Sequence, residues 1–239
     1  MKLTQRISKQ SFAFGMIVLL PAYLVFGSLI VSAFIQLVFS SLHLEASTNE
    51  MNGYLNFVFD LSFVIISFLV FRKEIVKQWN DIKQSYLFKT INNIVIAVPI
   101  MYIANIAGSL LSAGITGELS TSQNQLLIES LMKELPVLMI VAVTVLAPIL
   151  EEFIFRLLLF TGFYKYGRWV AYLASAGLFG LLHVFQPIIQ GNINEIVMVF
   201  PYLFMGIALC YIYERSDNIF IPVIAHGLMN TISVLLIML

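Results

Sequence analysis

The sequence predicts an all-α protein, a polytopic transmembrane bundle of about seven helical spans, and three observations carry that expectation. Of its 239 residues, 60% are hydrophobic and only 11% charged, whereas a soluble domain averages about 45–50% apolar and about 25% charged residues. Seven apolar stretches come near or exceed the ~20 residues that a bilayer crossing needs. The basic residues are segregated between alternate connecting segments, although the formal net charge is zero. That zero balance gives no case for nucleic-acid binding.

The first stretch, Phe12–Phe39, follows Lys2, Arg6 and Lys9 and so begins like a targeting sequence. It far exceeds the roughly 7–15 residues of a signal-peptide core, and no small-residue cleavage motif follows, so it reads as a retained span. Pro21 within it predicts a kink or tilt. The second stretch, Gly53–Phe71, carries Asp60, an intramembrane acid read as structural. The basic segment 72–90 spaces Ile75, Trp79, Ile82 and Tyr86 three or four apart, which predicts an amphipathic helix lying on the membrane surface. A third span, Ile91–Ile115, is followed by a polar, acidic loop at 116–134. Four more spans complete the chain: Leu135–Phe160, Trp169–Pro187, Ile193–Tyr213 and Ile219–Leu239. With the N-terminus cytoplasmic, eleven basic residues fall in the inner segments and only Lys133 outside, which fixes the expected orientation by the positive-inside rule and leaves the C-terminus outside. No linker or repeat divides the chain. It is expected to form one integral membrane domain over 1–239, with three N-terminal spans in 1–115 and a four-span region in 135–239 that holds the candidate chemistry. The expected location is the cell membrane, as a multi-pass protein of bacterial plasma-membrane type.

Chemistry concentrates in Thr144–Leu159, where Glu151, Glu152 and Arg156 interrupt an otherwise lipid-soluble stretch. Each charge near the centre of a membrane helix costs about 2.5–3.5 kcal/mol, so something must offset all three. Glu152 and Arg156 are four residues apart with the acid first, the favourable order for an ion pair on one helical face. Glu151 projects about 100° away, and its neighbours at three and four residues are Ala147, Pro148, Ile154 and Phe155, none of them a charge partner. Pro148 lacks an N–H and is expected to free the carbonyl of Thr144. Three histidines are present. His43 falls in a short loop, whereas His183 and His226 lie inside spans, where an imidazole needs partners or a wet cavity. Phe179 stands one turn before His183, and Asn230 one turn after His226. An acid, two imidazoles and a carboxamide are therefore available at compatible depths, towards the cytoplasmic half, for one polar pocket. The bland reading is that these groups tie helices together at about 0.6 kcal/mol each. Cys210, the single cysteine, excludes an internal disulfide and a thiolate zinc site.

Three patterns lie in order on separate spans: EEFIFR at 151–156, FGLLH at 179–183 and HGLMN at 226–230. In these the sequence resembles the CAAX-protease and bacteriocin-processing family of intramembrane endopeptidases, also called the Abi family, over about the last 110 residues. The resemblance implies hydrolysis of a peptide bond in a membrane-associated peptide or protein. It implies that Glu151 and His183 activate a water, that His226 and Asn230 form an oxyanion hole, and that Glu152, Arg156 and Phe179 support them. No cofactor is favoured; zinc is the alternative, held by Glu151, His183 and His226, although no His-Glu-x-x-His pattern is present. A non-catalytic immunity, scaffold or regulatory protein of the same family is the competing functional reading. An ion transporter is disfavoured, since no inverted repeat is visible.

Overall fold

A computed structural model describes residues 3, 6–85 and 87–238; Lys2, Tyr86 and Leu239, used in the sequence reading, lie outside them. Among the described residues there are nine principal helices: α1 (Lys9–Ser41), α2 (Thr48–Val70), α3 (Arg72–Gln84), α4 (Leu87–Thr116), α5 (Gln123–Glu134), α6 (Pro136–Tyr166), α7 (Arg168–Ile189), α8 (Ile193–Ser216) and α9 (Phe220–Met238). All except α3 and α5 are long and apolar enough to cross a membrane. The expected seven spans are therefore present, in a bundle that is helical throughout.

Local chemistry explains the helix ends. Ser47 accepts from the Glu50 backbone N–H at 3.1 Å while Glu50 returns a bond to the Ser47 N–H at 2.7 Å. This reciprocal cap starts α2 at Thr48. Pro136 opens α6, and Gly167 at φ +126° breaks it from α7. The 116–134 segment corrects the sequence reading more substantially. It is not a loop: Ser122 caps a twelve-residue helix, α5, by accepting from the Gln125 N–H at 3.2 Å. Leu131 and Met132 of α5 are buried against a small satellite core with Met139 and Val234.

α3 is helical as its spacing predicts, but it is docked rather than merely resting on lipid. Ile75 is buried, Trp79 meets Phe220 with ring centroids 5.3 Å apart, and even polar Gln78 is fully enclosed. Gln78 accepts from the Ile219 N–H at 2.7 Å through its side chain, and its carbonyl accepts from the Asn218 amide at 2.7 Å. α3 is thereby fastened to the α8–α9 turn. Arg6 completes this end of the bundle: its guanidinium grips Asp217 at 2.6 and 2.9 Å and also pairs with Asp81. Hydrogen bonding to Asp217, opposed by desolvation and reinforced by Asp81, pushes the Arg6 pKa well above its already high ordinary value.

The core is built around α6. Every residue from Glu152 to Phe160 is buried, so this stretch of the helix is covered on all sides. α8 packs principally against α4 and α7, while α9 packs against α4 and α6. Two crossings depend on glycine. A Cβ on Gly206 of α8 would stand 3.0 Å from the Ala176 Cα on α7, and one on Gly227 of α9 would stand 2.8 Å from the Thr144 carbonyl on α6. Close backbone approach of this kind drives helix association in lipid, where apolar burial gives little advantage.

Candidate active site

The site begins with a distortion of α6. Ala142–Leu146 forms a π turn in which the Ala147 N–H bonds the Ala142 carbonyl, five residues back. The next donor in that ladder would be Pro148, which has no N–H, so the carbonyl of Val143 is left over. The Asn230 side-chain amide donates to that carbonyl at 2.9 Å. The sequence assigned a released carbonyl to Thr144 on an α-helical ladder; the wider π turn releases that of Val143, one residue earlier. A second π segment runs over Glu152–Phe160. Such segments are rare, and they occur frequently at functional sites.

The Glu152–Arg156 pair forms as its spacing predicts, at 3.0 Å with both side chains fully buried. Arg156 also donates to the Gly206 carbonyl at 3.2 Å, and its guanidinium carbon lies 4.6 Å from the Phe179 ring centre. The arginine thus ties α6 to α8 and rests on an aromatic face of α7. Glu152 has a second task that the spacing does not reveal. Its Oε1, the atom that accepts from Arg156, also lies 3.0 Å from Nδ1 of His226, and so fixes the orientation of that ring.

Glu151 stands where three helices meet. Its Oε1 is 3.9 Å from Nε2 of His183 on α7, and its Oε2 is 3.8 Å from Nε2 of His226 on α9. These distances exceed a direct hydrogen bond. His183 Nδ1 lies 2.8 Å from the carbonyl of Phe179, which can only accept, so Nδ1 holds the proton and a neutral His183 presents a lone pair on Nε2 towards Glu151. The side chains of Glu151 and His183 keep 16% and 15% of their surface accessible, so the cluster is reachable, whereas His226 is buried.

The structure therefore brings Glu151, His183 and His226 into one cluster, with Glu152, Arg156 and Phe179 directly behind them. Asn230 lies one turn along α9 from His226 and has one amide hydrogen committed to Val143. His43 sits exposed in the α1–α2 loop. Two further groups join the site. Tyr202 stacks on the His183 ring, with centroids 4.3 Å apart and planes at 21°, and its hydroxyl lies 2.6 Å from Ser122 Oγ at the start of α5. One of ten tyrosines in an apolar sequence, it carries no pattern that would have marked it. Asp60 of α2 is buried, and α2 packs against the Ala147–Glu151 part of α6, which brings an N-terminal span to the edge of the cluster.

Two ligands each about 2.1 Å from a tetrahedral zinc stand roughly 3.4 Å apart, a few tenths less than the 3.8–3.9 Å found here. Both imidazoles keep Nδ1 engaged elsewhere and turn Nε2 inwards, as ligands do. Among the described residues no three His, Cys, Asp or Glu side chains are already closed to metal-binding geometry. Glu151, His183 and His226 are the residues that would hold the metal.

Comparison with known proteins supports the motif reading. Residues 133–232 match the family model described as Type II CAAX prenyl endopeptidase Rce1-like. All the motif residues, from Glu151 to Asn230, fall inside that stretch. A curated protein of Bacillus subtilis (strain 168), named "Putative membrane peptidase YdiL", is 31% identical over 137 residues, covering 54% of this chain and 52% of that protein. The match therefore spans about half the length of the relative. No solved structure gives a significant match.

Proposed function

Because residues 133–232 match the CAAX-type endopeptidase family, we propose that the protein is an intramembrane endopeptidase that hydrolyses a peptide bond in a membrane-associated peptide or protein. The observation that carries this reading is the convergence of two imidazole Nε2 atoms on the two oxygens of Glu151, at 3.9 and 3.8 Å. A water beside Glu151 and His183 is within reach of both groups. Glu151 takes a proton from it, while the Nε2 lone pair of His183 accepts its other hydrogen and orients it. The oxygen attacks the peptide carbonyl, the C–N bond breaks, and the proton held by Glu151 passes to the departing amine.

The oxyanion is stabilised from α9. The Asn230 N–H that is not bonded to Val143 is one donor. His226 is the other, and since its Nδ1–H is held by Glu152, it must carry both protons to donate from Nε2. One preorganised donor of this kind is worth about 3–4 kcal/mol at the transition state. Where zinc is bound, Glu151, His183 and His226 would hold it and it would polarise the carbonyl; the roles of Glu152, Arg156 and Phe179 as supports are the same in either case.

The test compares membrane and released peptides from cells producing the wild type and Glu151→Gln, each purified to confirm equal insertion. Cleavage products that vanish in the variant support the peptidase. Products retained at the wild-type level overturn it and leave the immunity or scaffold reading. Adding zinc or a chelator to the purified wild type decides the question of metal.

A further inference from the structure

At the end of the bundle where Arg6 is anchored, a polar pocket of about 390 Å³ opens between α3, α4 and the α8–α9 turn. Lys89, Thr90 and Asn93 of α4 line one wall, Arg215 and Ser216 of α8 the other, and Ser85 the rim. Arg6 and its two carboxylate partners, Asp81 and Asp217, form the back. Arg6 is spent on those two acids. Among the described residues neither Lys89 nor Arg215 has a carboxylate partner; Arg215 donates only to the Tyr211 hydroxyl, at 3.1 Å. Among the described lining residues, three cations and two acids leave one positive charge, presented by the two groups that face outwards.

Its position matters as much as its charge. Lys89 stands in the first turn of α4 and Arg215 in the last turn of α8, at the ends of two helices long and apolar enough to cross a membrane. That level is where the hydrocarbon region gives way to headgroups. Basic pockets between membrane helices at this depth hold lipid headgroups. We propose that this pocket binds a phosphodiester, with Lys89 and Arg215 contacting its oxygens, Thr90 and Asn93 offering further donors, and the single negative charge matching the single net positive charge of the walls. A phosphodiester can come from an anionic phospholipid or from a soluble molecule, and the experiment separates them.

The full chain is reconstituted in nanodiscs of phosphatidylcholine containing a minor fraction of phosphatidylglycerol, then transferred to detergent, and co-purifying lipid is quantified by mass spectrometry. Enrichment of phosphatidylglycerol over its bulk fraction, reduced to bulk in Lys89→Gln/Arg215→Gln, is the expected result. Lys73→Gln/Lys77→Gln on α3 makes the same charge change outside the pocket and should retain the enrichment. Glycerophosphoglycerol, the soluble headgroup alone, added in excess reports the second source: displacement of the lipid at moderate excess shows a site that reads the phosphodiester rather than the chains. Equal enrichment in the pocket variant and the wild type, or equal loss in both double variants, overturns the proposal. None of these positions belongs to the candidate active site, so the outcome is independent of peptidase activity.

Discussion

Glu151 and Glu152 are adjacent in sequence yet have different surroundings. Glu152 is enclosed and shared between Arg156 and His226, whereas Glu151 is partly accessible and faces two imidazoles across nearly 4 Å. Their substitutions should separate. On the proposed role of Glu151 as general base, Glu151→Gln is expected to reduce cleavage by about 10²–10⁴-fold with little change in thermal unfolding. Arg156→Met leaves a carboxylate buried without its countercharge and should destabilise by about 3–5 kcal/mol. Unfolding in detergent, followed by light scattering or intrinsic fluorescence, checks both. The double variant Glu152→Gln/Arg156→Met should lose less than the sum of the single losses, because it removes the pair instead of orphaning one member. Tyr202→Leu is expected to release the His183 ring and lower turnover by about 10²-fold, as a misplaced catalytic group does. Tyr202→Phe keeps the stack, loses the hydroxyl's bonds to Ser122 and Asn124 and should keep most of the activity. Equal losses in the two Tyr202 variants would assign the effect to the hydroxyl and α5, not to the ring.

At the scale of the helices, the spans were legible because lipid demands long apolar runs, and the three motif helices because ionisable groups within such runs are costly enough to stand out. Neighbour relations were much less legible. Helices that are apolar on every side have no periodicity to show which face meets which partner, so the stacking of Tyr202 on His183 and the reach of Glu152 to His226 were invisible. The Val143 carbonyl was missed for a different reason: the sequence reading assumed α-helical register, and the π turn before Pro148 shifts the ladder by one. Helix α5 was missed because its composition is polar and its burial rests on Leu131 and Met132 alone. The crossing of α6 and α9 makes this scale testable. Gly227→Val places branched carbon against the Thr144 carbonyl, where even a Cβ would stand at 2.8 Å. It should push α9 outwards and lower activity and thermal stability together, whereas Gly114→Val, with open space around the glycine, should do neither.

For the molecule as a whole, the N-terminal arm is a clasp. Arg6 connects the start of the chain to α3 through Asp81 and to the α8–α9 turn through Asp217. Arg6→Ala is expected to cost about 1–2 kcal/mol, the lower part of the range for charged hydrogen bonds, because Asp81 is 43% exposed. Its arginine stays charged at every working pH, so the clasp does not loosen from that side as pH rises.

The enclosed ion pair also bears on how the chain is made. A ribosome delivers α6 to the translocon with Glu151, Glu152 and Arg156 aboard, before α8 has supplied the Gly206 carbonyl or α9 the His226 ring. A nascent chain ending shortly after α6 should therefore partition poorly into lipid, while one extended through α9 integrates fully. Glycosylation mapping of such truncated chains in microsomes would read that dependence directly, with Glu151→Leu/Glu152→Leu/Arg156→Leu restoring early integration.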